Sequence, residues 1–304
     1  MQVLLAADGS IESDIASSML EKLPLPKSTD IVVATVIEPT GIEALEAEVF
    51  LANTAQIRRR IARQMIDRIA GEWIDRGVPA QGLLLEGDAS TELLALAQGL
   101  PNRETLFVCG SGAPSFSKMI GSVSRKLILY SGASVLVGRP FHRNAHQGSV
   151  PRIRAKESLD VLIAVDDQEG SKVVLDCLES MPNSVFENLY VVSIEPFPHI
   201  PADSDLSIYL PVTKDDLKCA DRMAATAAKR LARCAQTASG ISGIGCPSQE
   251  IARIAAEKDV DLVVVGASRH SPLSSFVVGS CSYELSNFAP CPVLILRSSR
   301  LFAA

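Results

Sequence analysis

The chain has 304 residues, of which 47% are hydrophobic and 21% charged, with 29 basic against 35 acidic side chains. This composition can bury a core and excludes a disordered tail, and the length is a soft prior for two domains. The charge of −6 is evenly shared, with 13 basic against 16 acidic residues in 1–140 and 16 against 19 in 141–304, so neither half presents the basic face of a nucleic-acid binder.

The chain begins "MQVLLAADGS", which lacks the basic region and the long apolar stretch of a signal peptide. Its apolar part predicts a first strand ending near Asp8, and a second strand follows at "IVVATVIEP" (31–39). "AQIRRRIARQMIDRIAGEWI" (55–74) has apolar residues every three or four positions and predicts an amphipathic helix, with Trp73 on the apolar stripe and "RRR" (58–60) on a solvated face. "STELLALAQ" (90–98) predicts a helix capped by its leading Ser, "TLFVCGS" (105–111) a strand, and "SGASVLVGRP" (131–140) a last strand. The polar segment "HRNAHQGSVPRIRAKES" (142–158) reads as a linker.

The pattern then repeats. "VLIAVDDQ" (161–168) matches "VLLAADGS" (3–10), "LYVVSIEPF" (189–197) matches "IVVATVIEP", "DLVVVGAS" (261–268) matches "TLFVCGS", and "APCPVLILRS" (289–298) matches "SGASVLVGRP". Between these strands, "KCADRMAATAAKRLARCAQTA" (218–238) and "SQEIARIAAEK" (248–258) read as helices, the latter again with a leading Ser as its cap. Asp8 to Asp166, Gly121 to Gly279 and Val135 to Val293 are each offset by 158, whereas Gly110 to Gly266 is offset by 156, so the first copy is two residues shorter between its glycines. The strand runs lack polar alternation, as in central parallel strands covered on both faces. Strands alternating with helices predict an α/β fold: domains at 1–141 and 158–304, a linker at 142–157, and in each domain a three-layer, Rossmann-like arrangement around a mainly parallel five-stranded sheet.

Parallel sheets bind ligands beyond the carboxyl ends of their strands, where the strand order switches. Asp8 and Asp166 end the first strand of each copy, Gly110 and Gly266 end the fourth, and Gly121-Ser122 and Gly279-Ser280 open the helix after it. Such glycines suit a positive φ or a close approach of backbone to ligand. Free N–H groups and the dipole at a helix start favour phosphate, the serines add a hydroxyl, and the Asp can accept from ribose or an exocyclic amine. The same residues also fit a purely structural reading, with glycines making turns, serines capping helices and the Asp capping the first helix.

Both copies resemble the universal stress protein domain, and the chain resembles its tandem form. The resemblance rests on "AADGS", "VIEP" and "SIEP", "LEGDASTELLALA" (85–97), and above all "VVVGAS…VVGSCSYELSNFAPCPVLILR" (263–297). Nucleotide-binding members carry Gly-x-x-Gly-x9-Gly-Ser/Thr. The second copy keeps that spacing from Gly266 to Gly279-Ser280 but has Arg269 at the middle glycine, and the first copy has only eleven positions from Gly110 to Gly121 and no middle glycine. The resemblance implies the fold (adenine nucleotide alpha hydrolase-like) and an ATP-type adenine nucleotide, with Mg²⁺ if a triphosphate. It would be held mainly in the second copy by Asp166, Ile194, Gly266, Ser268, Arg269, Gly279 and Ser280. The weaker counterpart in the first copy is Asp8, Val36, Gly110, Gly121 and Ser122. It also implies a cytoplasmic stress-response factor acting through an unidentified protein partner, with the last strands pairing within the chain as a pseudo-dimer and a homodimer of chains allowed. The alternative is an interaction or scaffold protein whose nucleotide sites have decayed.

Other chemistry is weaker. "VDDQE" (165–169) looks like a receiver's acidic pair, but the final strand ends "LILRSS" without the required Lys, and the first copy lacks the pair. His270 in "SRHS" has no nucleophile elbow nearby in sequence and reads as a loop residue. Cys291 between two prolines reads as a small buried hydrophobe, the seven cysteines form no Cys-x-x-Cys pair, and the four histidines are scattered, so reduced thiols and no metal site are expected. No apolar run reaches the roughly 18 residues of a membrane span. With no general base to name, the chain is expected not to be an enzyme beyond at most a weak ATPase.

Overall fold

The computed structural model describes residues 1–39, 48–101, 104–111, 120–141, 158–197, 214–267 and 279–303, and only the backbone of 48–53 and 214–216. The expected linker at 142–157 lies outside the described residues, as do Ser268, Arg269 and His270.

The first half runs β1 (Gln2–Ala6), α1 (Ile11–Leu20), β2 (Asp30–Ile37), α2 (Glu48–Asp75), β3 (Ala80–Glu86), α3 (Ala89–Gln98), β4 (Thr105–Gly110), α4 (Ser122–Tyr130) and β5 (Ser134–Gly138). The second repeats it: β6 (Leu159–Ala164), α5 (Glu169–Glu179), β7 (Phe186–Pro196), α6 (Lys214–Arg230), β8 (Ala235–Gly245), α7 (Pro247–Glu257), β9 (Leu262–Gly266), α8 (Ser280–Phe288) and β10 (Val293–Leu296). The strands join in one ten-stranded sheet of order β3-β2-β1-β4-β5-β10-β9-β6-β7-β8. Within each half every pairing is parallel, and the halves meet where β5 and β10 pair antiparallel, Val135 opposite Ile295 and Val137 opposite Val293. Each half thus gives up one open sheet edge to the other.

Alternate strand residues feed two cores, one on each face, and both cores run through both halves. One takes Val3, Leu5, Val161 and Ile163 with the apolar stripes of α1, α2, α5 and α6, including Trp73 and Val174. The other takes Leu4, Phe107, Leu162 and Val263 with α3, α4, α7 and α8, including Leu127, Ile254 and Leu285. The result is three layers with β1 and β6 at the switches in strand order.

Two arginines at the same repeat position pin the halves. Buried Arg139 donates to the carbonyls of Ser286 (2.7 Å) and Ala289 (3.2 Å) at the end of α8, and Arg297 donates to Ile128 O (2.5 Å) in the last turn of α4. Each cation thereby reaches carbonyls that a helix end cannot satisfy itself. Arg125 adds a cation–π contact across the join, 5.9 Å from the Tyr283 ring centre.

Three local expectations shift. The cap of α3 is Asp88, two residues before Ser90, because its Oδ1 accepts from Thr91 N (2.8 Å) as well as from the Ser90 and Thr91 hydroxyls. The cap of α7 is Cys246, with Pro247 in the first turn, again two residues before the Ser expected from sequence. The helix read over 218–238 ends at Arg230, a 3₁₀ turn covers Ala232–Cys234, and Ala235 already begins β8. β8 is a sheet edge of small residues, "AQTASGISGIG", whose weak strand propensity hid it.

Candidate functional site

At the carboxyl ends of β6, β7 and β9 lies a cavity of about 510 Å³. It gathers Asp166 and Ser171 from the start of α5, Ile194 and Glu195 from the end of β7, Gly266 from β9, and Gly279-Ser280 at the start of α8, with Cys219 and Met223 of α6 along one wall. Asp166, Ile194, Gly266, Gly279 and Ser280, all expected from the sequence, therefore converge on one space.

Local chemistry explains the placement. Asp166 Oδ1 accepts from Gln168 N (3.0 Å) and from the Ser171 hydroxyl, which itself accepts from Asp166 N (2.8 Å). This ring fixes the turn from β6 into α5 and leaves Asp166 exposed on the cavity wall. Gly266 is not a positive-φ residue. Its side chain is excluded because a Cβ would be driven into the Gly170 carbonyl, where α5 begins. A close approach of helix to strand end is therefore what requires glycine here. Ser282 donates to Gly266 O (2.7 Å) and ties α8 to the same strand end. Gly279 is the residue before α8, and Gly279 through Ser282 line the cavity, so the start of that helix, where N–H groups lack intrahelical partners, borders it. Ile194 stands opposite Gly243 of β8, and a Cβ on Gly243 would lie 2.9 Å from Ile194 Cδ1.

The charged side chains that line the cavity among the described residues are Asp166, Asp167 and Glu195, all acidic. Cys281, in the first turn of α8, has its thiol pushed up to about 12, first by burial and then by Glu284, Asp166 and Cys246. No group of three or more His, Cys, Asp or Glu arranged for a metal ion occurs among the described residues.

The first half places Asp8, Val36, Gly110, Gly121 and Ser122 at the equivalent ends of β1, β2, β4 and α4. Asp8 Oδ1 accepts from Ser10 N (2.9 Å), Gly9 takes φ +76°, and Ser10 caps α1 by accepting from Ser13 N (3.2 Å). Gly110 abuts α1 as Gly266 abuts α5, with Ser13 N 2.7 Å from where a Cβ would be. Ser124 donates to Gly110 O (2.5 Å), as Ser282 does to Gly266. The loop ends differ. Gly121 N donates to Ser111 O (2.6 Å), closing the neck of the first loop, while among the described residues Ala267 and Gly279 are not so joined.

The sequence reading missed Ser171, Ser282, Gly170, Gly243 and Met223. The repeat offset of 158 carries a usable signal for three of them, because Ser171, Ser282 and Met223 fall opposite Ser13, Ser124 and Met65. Gly170 and Gly243 fall opposite Glu12 and Leu85 and had no such signal.

A doubly wound α/β/α sheet with a crevice at its switch point is a class of fold that takes ligands beyond the carboxyl ends of its strands. Residues 159–297 match the sequence model of the universal stress protein family. Universal stress protein YxiE of Bacillus subtilis is 29% identical over 148 residues, covering 45% of this chain and 97% of that protein. Universal stress protein MJ0531 of Methanocaldococcus jannaschii is 26% identical over 158 residues, covering 49% of this chain and 88% of that protein. The crystal structure of a universal stress protein from Archaeoglobus fulgidus superposes with a TM-score of 0.60 at 17% identity, over 98% of this chain and 96% of that one, which shows a common fold along the full length. The second half, residues 159–297, thus carries a universal stress protein domain, and the chain as a whole shares the fold of a full-length universal stress protein structure.

Proposed function

We propose that this chain is a tandem stress-response protein of the cytoplasm that binds an adenine nucleotide in its second half, with little turnover, and offers a nucleotide-dependent surface to a protein partner. The carrying observation is the single cavity that unites Asp166, Ile194, Gly266, Gly279 and Ser280. Asp166 would take the ribose hydroxyls, the β7 end beside Ile194 the adenine, and the start of α8 the phosphates. A Mg²⁺ ion accompanying a triphosphate would find oxygen donors in Asp166 and Asp167, the ligand type it prefers.

The acidic lining favours a second reading, in which the cavity no longer admits a polyphosphate and the chain acts as a scaffold. Titration calorimetry of the full chain with ATP, with and without Mg²⁺, separates the two. Heat and thermal stabilisation at millimolar nucleotide support binding, and their absence, with partner capture unchanged by Asp166→Ala, supports the scaffold.

A further inference from the structure

The seven thiols of this chain divide by place. Cys109, Cys177, Cys234 and Cys291 are buried, Cys281 is intermediate, and Cys219 and Cys246 are exposed. All three that reach the surface lie at the second cavity. Cys219 and Cys281 line it, and Cys246 precedes Pro247, which also lines it. At the matching positions the first half has Ile61, Asp88 and Val123, so packing within the repeated fold does not call for thiols there.

The three are not chemically alike. Burial beside Glu284 and Asp166 keeps the Cys281 proton in place, which makes it a poor nucleophile. Cys246 has its sulfur 3.5 Å from the Ser248 hydroxyl, and Ser248 in turn donates to Glu284. Cys219 is exposed and lies one helical turn before Met223, so both look onto the cavity from the same face of α6. A small molecule held in the cavity lies within the space that Cys219 borders, and among the described lining residues the charges it meets are the carboxylates of Asp166, Asp167 and Glu195.

We propose that Cys219 is a modification site for small neutral or cationic disulfides that first dock in the second cavity, and that the adduct fills the space assigned above to nucleotide. Only the last clause rests on the nucleotide reading. In the reaction, the Cys219 thiolate attacks one sulfur of the reagent. The reagent's S–S bond breaks as the Sγ–S bond forms, and the other half leaves as a thiolate that takes a proton from water. Cys219 is oxidised to a mixed disulfide and half of the reagent is reduced to a thiol.

The test is peptide mass mapping of the reduced full chain treated with cystamine (a cationic disulfide), with glutathione disulfide as the anionic comparison and each rate normalised to free cysteine. Docking predicts that the rate at Cys219 saturates with cystamine concentration, while the rate at Cys246 rises linearly. Asp167→Asn with Glu195→Gln should slow Cys219 about fivefold at low salt, less at high salt, and leave Cys246 unchanged. Glutathione disulfide should lack the saturation. Linear kinetics at Cys219, or rates indifferent to those substitutions, overturn the proposal. If the kinetics hold, the adduct should abolish the ATP heat in the wild type, and Cys219→Ser should make that heat insensitive to cystamine. If ATP gives no heat even before treatment, the nucleotide reading fails while the thiol site stands.

Discussion

The ends of β4 and β9 occupy the same place in the two halves. Each is a glycine pressed against the helix that follows the half's first strand, and each has its carbonyl held by a serine of the next helix. Beyond that point they diverge. In the first half Gly121 N closes on Ser111 O and the neck of the loop is shut, whereas in the second the start of α8 lines a cavity with Asp166 and Ile194. The difference separates two roles that one glycine-rich pattern can serve. The strand-end glycine is demanded by packing in both halves, whereas the helix-start glycine serves a backbone hydrogen bond in the first half and lines a cavity in the second.

The comparison can be broken most severely at the strand ends. Gly266→Ala would drive a methyl into the Gly170 carbonyl, and backbone cannot step aside cheaply, so a loss of about 3–5 kcal/mol in urea unfolding is expected. Gly110→Ala should cost somewhat less, about 2–4 kcal/mol, because its nearest neighbour is Ser13 N at 2.7 Å. If either substitution proves neutral, packing is not what those glycines are for.

The join comes next. Arg139→Met keeps the bulk but leaves the carbonyls of Ser286 and Ala289 without their donor, for about 2–3 kcal/mol, and Arg297→Met should cost a similar amount through Ile128 O. A large inequality between the two would show that the repeat's symmetry does not extend to its energetics.

Binding sharpens the contrast between the sites. Asp166→Asn should weaken adenine nucleotide about tenfold, or about 1.4 kcal/mol, by calorimetry, and Asp8→Asn should stay within about twofold of the parent. Equal effects would mean the first site also binds.

The smallest effect concerns pH. Arg230 donates to Glu179 at 2.7 Å and to Asp176 at 2.6 Å, joining α6 to α5. The Arg230 hydrogen bond holds the Glu179 carboxyl below its usual range. A carboxylate lowered in the folded state stabilises above the usual glutamate range and loses that contribution as pH falls through the folded value. Glu179 is 37% exposed in its side chain, so solvent screening limits the worth to under about 1 kcal/mol. Thermal melts of Glu179→Gln should differ from the parent near pH 7, and the difference should shrink as acid takes the pH below the usual glutamate range and through the lowered folded value. A difference that persists in acid would assign the effect to packing.

Much of this protein was legible in its sequence because the signals were local and came twice. Unbroken runs such as "LVVVG" specify strands buried on both faces, amphipathic spacing specifies the helices between them, and the repeat offset aligned Asp8 with Asp166 and Gly121 with Gly279. The same reading put Ser90 and Ser248 at helix caps, because a hydroxyl before an apolar stripe is ambiguous until the backbone shows which residue turns. The first residues of β8, 235–238, were read as the tail of a helix, since small residues become an edge strand only when β7 is beside them to pair with.

By itself the sequence determined two copies of an α/β unit and the strand ends where a ligand could sit, since periodicity and turn chemistry act within a few residues. The tertiary structure decided what depends on residues distant along the chain. It joined the copies through β5 and β10, matched Arg139 to the end of α8, and set Gly266 against Gly170. It also shut one loop neck while the other borders a cavity. Close approach, burial and hydrogen-bond closure are properties of three-dimensional neighbours, and no spacing along the chain encodes them.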